Sequence, residues 1–176
     1  DAAITSGTAQ TNIFATTDAT KIGLGASPSP AGVAISADEF DVMTSVGMVI
    51  GSAQNGDFSV STISALQSNT VTGTLTIIAS YPSAGKTIDF ATGASVFNAI
   101  AAQADKLIQV QVDVTADAGV MTLDGDADNA ADGSEDKISF TNARTLSSVG
   151  QMTLDATTGG MEQGGTRAPG SSNVPD

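Results

Sequence analysis

One short cassette recurs along the chain: a Gly, then alternating apolar and spacer residues, closing on a small residue or Asp. It reads Gly47-Met48-Val49-Ile50-Gly51, Gly73-Thr74-Leu75-Thr76-Ile77, Gly119-Val120-Met121-Thr122-Leu123-Asp124 and Gly150-Gln151-Met152-Thr153-Leu154-Asp155. The last two copies share Met-Thr-Leu-Asp, and Ser45-Val46-Gly47 is echoed by Ser148-Val149-Gly150. A strand-length unit repeated without helices in between points to stacked β-coils, in which equivalent positions reuse the same residue types.

Between the cassettes runs strict two-residue alternation. Thr87-Ile88-Asp89-Phe90-Ala91 and Lys137-Ile138-Ser139-Phe140-Thr141 put Ile and Phe on one face and polar residues on the other. The run from Ile108 to Val114 and the stretch Phe58-Ser59-Val60-Ser61-Thr62-Ile63 follow the same rule. With Thr20-Lys21-Ile22-Gly23-Leu24 this predicts about nine short strands separated by short turns. Helix signals are confined to two segments, read as corners or single turns. One is 37–43 with Ser36 as N-cap and Glu39 at the capping-box position; the other is 96–104. Ser27-Pro28-Ser29-Pro30 cannot continue a ladder, because proline lacks the N–H, and is expected as an exposed loop. The expected organisation is a strand segment and Pro-containing loop over 1–31, β-repeats over 32–160, and a flexible Gly-rich tail over 161–176.

Composition narrows the chemistry. The 176 residues suffice for one domain with a real core. Aromatics make up only 4% and charged residues 14%, so many thin aliphatic layers are expected rather than a few large rings. A net charge of −13 disfavours nucleic acid and anionic membranes as partners, and no run is long enough to span a bilayer. The chain has no Cys and no His, which removes disulfides, thiolate chemistry, Cys/His zinc sites and the commonest general base. A start at Asp1 without Met is expected of a processed chain or a piece of a longer one.

All-β with regular short strands leaves a sandwich, a closed barrel or a solenoid. The recurring cassette favours the solenoid, and a β-sandwich is the alternative. The segments Ile35 to Phe40, Gly47 to Ser52, Gly56-Asp57-Phe58-Ser59-Val60 and Gly73 to Ala79 resemble the repeats of filamentous-haemagglutinin-type adhesins and related giant surface proteins of algae and bacteria. The region from Phe97 through Leu123-Asp124-Gly125-Asp126 to Phe140 is similar to repeats of large algal surface proteins. The resemblance covers about three quarters of the chain. It implies a right-handed parallel β-helix that is exported to the cell surface.

The sharpest chemical feature is the acidic run from Asp124 to Glu135. Numbered as a twelve-residue calcium loop, it places Asp124, Asp126, Asp128, Asp132 and Glu135 at positions 1, 3, 5, 9 and 12, with the Ala130 carbonyl at position 7. Position 6 is Asn129 rather than Gly, and the flanks read as strands, so an EF-hand is not expected. The expectation is a calcium-binding loop between two strands, set against an ordinary solvated acidic loop. Five carboxylates in so short a span repel one another unless a cation compensates.

Other signals carry less. Asp38, Glu39 and Asp41 are close in sequence, but a strand or corner splays them apart, and the six basic residues are scattered, which argues against a lyase centre. The Thr-rich run Thr70-Val71-Thr72-Gly73-Thr74-Leu75-Thr76 reads as an outward strand face, since the other cassettes do not repeat it. Met43, Met48, Met121 and Met152 occupy apolar ladder positions and are expected in the core. The reading that results is a non-enzymatic, extracellular structural or adhesive module. It would be a subunit of a filament, appendage or surface layer, joined to copies of itself or neighbouring subunits through coil ends or strand exchange. A carbohydrate-binding module contacting surface polysaccharide and a β-helical polysaccharide-active enzyme are the alternatives.

Overall fold

The computed structural model describes residues 3–28, 32–83, 87–131, 135–141 and 143–164. The chain begins with strands β1 (Ile4–Thr5), β2 (Gln10–Ile13), β3 (Thr20–Gly25) and β4 (Gly32–Ser36), then the single helical turn α1 (Ala37–Asp41). β5 (Met43–Thr44), β6 (Gly47–Ser52) and β7 (Asn55–Ser61) lead to a second short helix, α2 (Ala65–Ser68). Among the described residues, strands alone follow from there: β8 (Thr74–Ala79), β9 (Thr87–Ala91), β10 (Ser95–Phe97), β11 (Ala99–Ala104), β12 (Leu107–Val110) and β13 (Val114–Ala116). The last are β14 (Met121–Asp124), β15 (Lys137–Thr141), β16 (Leu146–Ser148), β17 (Met152–Asp155) and β18 (Met161–Gly164).

These strands form two large sheets and two small ones, and every described strand pairing is parallel. The six-stranded sheet runs β17-β14-β11-β8-β6-β2, and the seven-stranded sheet runs β18-β15-β12-β9-β7-β3-β4. A three-stranded sheet holds β10-β13-β16, and β1 pairs with β5. From β6 onward the chain lays one strand in the first sheet, one in the second and a short element beyond it before returning to the first. Parallel neighbours need such crossovers, since a tight hairpin joins only antiparallel strands.

All four cassettes fall in the six-stranded sheet, and in register. Met48 pairs with Leu75, Leu75 with Ile100, Ile100 with Met121, and Met121 with Met152. Two residues on, Ile50, Ile77, Ala102, Leu123 and Leu154 form the next column. In the seven-stranded sheet Ile22, Phe58, Ile88, Ile108, Ile138 and Met161 align, as do Leu24, Val60, Phe90, Val110 and Phe140. Alternate side chains along a strand point to opposite faces, so each inward column becomes a continuous apolar stack. Its inner members, from Ile22 to Ile138, are almost wholly buried and belong to one core cluster. Burying each such aliphatic or aromatic side chain contributes about 1.5–3 kcal/mol. Thr74 and Thr76 occupy the outward positions of β8, as their alternation predicts.

Several expectations are corrected. Residues 96–104 do not form a corner: they supply most of β10 and the whole of β11. β11 is flanked by β8 and β14, and two hydrogen-bonded ladders outweigh the modest helical preference of its alanines. The aromatic share of the core is larger than composition implied, because Phe40, Phe58, Phe90 and Phe97 are all fully buried. Met48 and Met121 are core, Met43 packs against it, but Met152 is 38% exposed. The strands β2 and β3, N-terminal to the expected repeat region, pair with β6 and β7 in the same sheets. Part of the expected tail is the strand β18, and the rest, 165–176, lies outside the described residues, as do Ser29 and Pro30 of the expected loop.

The two helical turns are set by their caps. Ser36 accepts from the Glu39 N–H while the Glu39 carboxylate accepts from the Ser36 N–H, and Ser64 and Gln67 repeat the arrangement at α2. The turn at α2 was not expected, although Ser64-x-x-Gln67 carries its signature.

Candidate functional site

The acidic run leaves β14 and re-enters at β15, at the corner where the chain passes from the six-stranded to the seven-stranded sheet. This corner carries buried polar groups in several layers: Asn55 at the start of β7, Asp105 between β11 and β12, and Asp126 and Asp136 between β14 and β15. Both polar side-chain atoms of Asn55 have protein partners. Its Nδ2 donates to the Ala15 carbonyl at 3.1 Å, and its Oδ1 accepts from Ser52 Oγ at 3.1 Å.

Four of the five predicted carboxylates lie within the described residues, and each of the four has its own partner. Asp124 Oδ1 accepts from the Asp126 N–H at 3.2 Å, and Asp128 Oδ1 accepts from the Ala130 N–H at 3.1 Å, both local turn contacts. Glu135 reaches Lys106 Nζ at 2.7 Å, and this partner holds its carboxyl below the usual range. Asp132 lies outside the described residues. Among the described residues, no group of three or more acidic side chains is disposed to hold a metal ion. Burial raises the Asp124 carboxyl above its ordinary value; the hydrogen bond from the Asp126 N–H opposes this, and the charges of Asp155 and Asp126 add to it.

Asp126 differs from the rest. It is 1% exposed; its Oδ2 accepts from the Thr158 N–H at 2.6 Å, and its Oδ1 is buried without a hydrogen-bond partner. Asp136, not among the predicted ligands, is also 1% exposed and meets the same threonine, its Oδ2 lying 3.3 Å from Thr158 Oγ1. That hydroxyl is also 3.5 Å from the Ala130 carbonyl. Thr158 belongs to the turn between β17 and β18, one layer beyond the acidic run. The turn sits close because of Gly159: a Cβ there would lie 2.0 Å from the Asp136 carbonyl oxygen. Asn129, at position 6 of the loop, adopts φ 52°, a left-handed conformation that Asn tolerates.

The carboxylates weighed for catalysis are accounted for structurally. Glu39 is engaged in the α1 capping box, where bonds from the Ser36 N–H and hydroxyl lower its carboxyl below the usual range. Asp38 and Asp41 are exposed on the same turn. A groove of about 300 Å³ beside β8 and β11 is lined by Thr72, Gly73, Thr74, Asn98, Ala99, Ala118, Gly119 and Val120, with no charged or aromatic side chain. No described helix is long and apolar enough to cross a membrane.

The C-terminal edge of the sheets is the other conspicuous feature. Met121 is fully buried, whereas its register partner Met152 is 38% exposed; Ile138 is fully buried, whereas its partner Met161 is 62% exposed. Val149, beside this edge, is 76% exposed. At the N-terminal side Ile4 and Phe14 are each about half exposed. Comparison of the chain with protein-family models, with curated proteins and with solved structures found no match.

Proposed function

We propose that the chain is a structural or adhesive module of the cell surface, built as a right-handed parallel β-solenoid that joins other copies end to end. In this reading each passage through the two large sheets and the short third element is one coil. Right-handed crossovers between parallel strands are the overwhelming rule, which supports the handedness. On the resemblance read from its repeat sequences, the module would sit at the cell surface, and its role would be mechanical rather than catalytic.

One observation carries the reading: the apolar columns run out of the sheets unfinished. Met152 and Met161 continue stacks whose inner members are completely buried, so a further coil laid against β17 and β18 would bury them too. The outer edges of these strands also offer backbone groups for a parallel ladder. The N-terminal end, with β2 at the edge of one sheet and β4 at the edge of the other, differs from the C-terminal end. A contact between unlike ends does not close on itself and generates a filament.

Sedimentation velocity and negative-stain electron microscopy across a concentration series test this. The native chain is expected to form linear oligomers, and Met161→Lys with Met152→Asp to remain monomeric while keeping its β-rich circular dichroism. Deleting 1–20 or 161–176 should also block assembly. A native chain that stays monomeric at every concentration refutes the proposal, as does unchanged polymerisation of the charged double variant.

A further inference from the structure

We propose that Asp126, Asp136, Thr158 and the Ala130 carbonyl form a calcium site that fastens the turn between β17 and β18 onto the preceding layer. This set differs from a twelve-residue calcium loop. It leaves out Asp124 and Asp128, which accept from nearby backbone N–H groups, and Glu135, which pairs with Lys106, while Asp132 lies outside the described residues; it adds Asp136 and Thr158 from outside the run's expected ligands.

Asp126 is the group whose surroundings are incomplete. A buried carboxylate is tolerated when its lone pairs are matched, and a buried oxygen left without a donor is costly. Asn55, at the same corner, has both its side-chain amide atoms matched by protein groups. Asp126 has only one oxygen matched, by the Thr158 N–H, and the other is enclosed without a hydrogen-bond partner. A second buried carboxylate, Asp136, approaches the same threonine. Two desolvated carboxylates at one residue repel each other. The Thr158 hydroxyl has a single proton, so it can serve Asp136 or the Ala130 carbonyl but not both at once.

A cation resolves all three conflicts. The groups present are carboxylate, carbonyl and hydroxyl oxygens, the hard ligands calcium takes, in a flexible geometry that water completes. Magnesium demands near-ideal octahedral geometry and dehydrates reluctantly, so it fits this set poorly. With two carboxylates the site belongs with weak extracellular calcium modules, which bind at about 0.1–1 mM. The contacts join positions 32 and 22 residues apart in the chain, so occupation would tie the exposed last layer to the buried one beneath it. Binding at this site does not depend on how copies assemble.

Isothermal titration calorimetry with calcium chloride on the full chain, at matched ionic strength, tests it, alongside thermal melts in calcium and in chelator. Expected are binding in the native chain, a melting temperature higher in calcium, and at least a tenfold loss of affinity in Asp126→Asn and in Asp136→Asn. Asp128→Asn, whose exposed carboxylate lies outside the set, should bind as the native chain does. If either buried-site variant fails to fold, Thr158→Ala supplies the check, with a smaller loss of affinity, and amide exchange at residue 158 should slow in calcium. Absence of binding in the native chain overturns the proposal. So does equal affinity for magnesium, unchanged affinity in Asp126→Asn or, where that variant does not fold, in Thr158→Ala, or an equal loss in Asp128→Asn, which would mark diffuse attraction to an acidic loop.

Discussion

Replacing Phe90 by Ala tests whether stability resides in the stacked inward columns. Phe90 is fully buried in β9, between Val60 of β7 and Val110 of β12, in the middle of its column. Phe140 of β15 continues that column toward the C-terminal edge, but it is only partly buried. Truncating a fully enclosed Phe costs about 3–5 kcal/mol, because the lost transfer energy is joined by the cost of the cavity left behind. At about 2–4 °C per kcal/mol for a domain of this size, Phe90→Ala should lower the melting temperature by roughly 6–20 °C. The site is hemmed in by two ladders and has little freedom to collapse, which favours the upper half of that range. Phe140→Ala leaves a hole that water and neighbouring side chains can reach, and should cost about half as much. Thermal and urea unfolding followed by far-UV circular dichroism measure both. A repeat stack is held together layer by layer, so a lesion at its centre should also broaden the transition. Equal costs for the two variants, or a cost below about 1 kcal/mol for Phe90→Ala, would refute a continuous load-sharing column.

Two further outcomes follow from backbone and charge. Gly51 has φ 97°, and a Cβ there would lie 2.1 Å from the Ile78 carbonyl oxygen, so Gly51→Ala should cost well over the ~1–2 kcal/mol of left-handed strain alone. Gly7→Ala, at φ 61° with open space around it, should cost no more than that strain; chemical denaturation distinguishes the two, and equal losses would contradict the packing argument. Burial, then the charge of Asp57, raises the Asp89 carboxyl, and burial foremost raises that of Asp124. The folded chain therefore binds these protons more tightly than the unfolded chain. Their stabilising contribution is fully present below the ordinary carboxylate range and is lost as pH rises through the raised values. Asp89→Asn and Asp124→Asn should each raise the melting temperature at neutral pH relative to the native chain, with the gain shrinking in acid. A gain that grows in acid would show the sign to be wrong.

What could be read from residues alone depended on how local the cause was. The cassettes and the Ile-x-Phe runs were legible because an in-register column demands the same residue type at each level, as Met121 over Met152 and Ile88 over Ile108 show. The cap at Ser36 was legible because its partner lies three residues away. β11 was not, since its Ala-rich segment lacks the opening Gly and becomes a strand only through neighbours on both sides. In the acidic run, counting along the chain singled out Asp126 together with Asp124, Asp128, Asp132 and Glu135. It missed Asp136, whose contact to Thr158 arises from the chain's later return.

The sequence by itself thus determined that this protein is β-rich and without Cys or His chemistry, because alternation and composition act residue by residue. Tertiary structure decided which strands are neighbours, which end of the sheets is left with exposed methionines, and which carboxylates lose their water. Those outcomes depend on pairings between distant segments, and spacing along the chain carries no record of which turn will close over which aspartate.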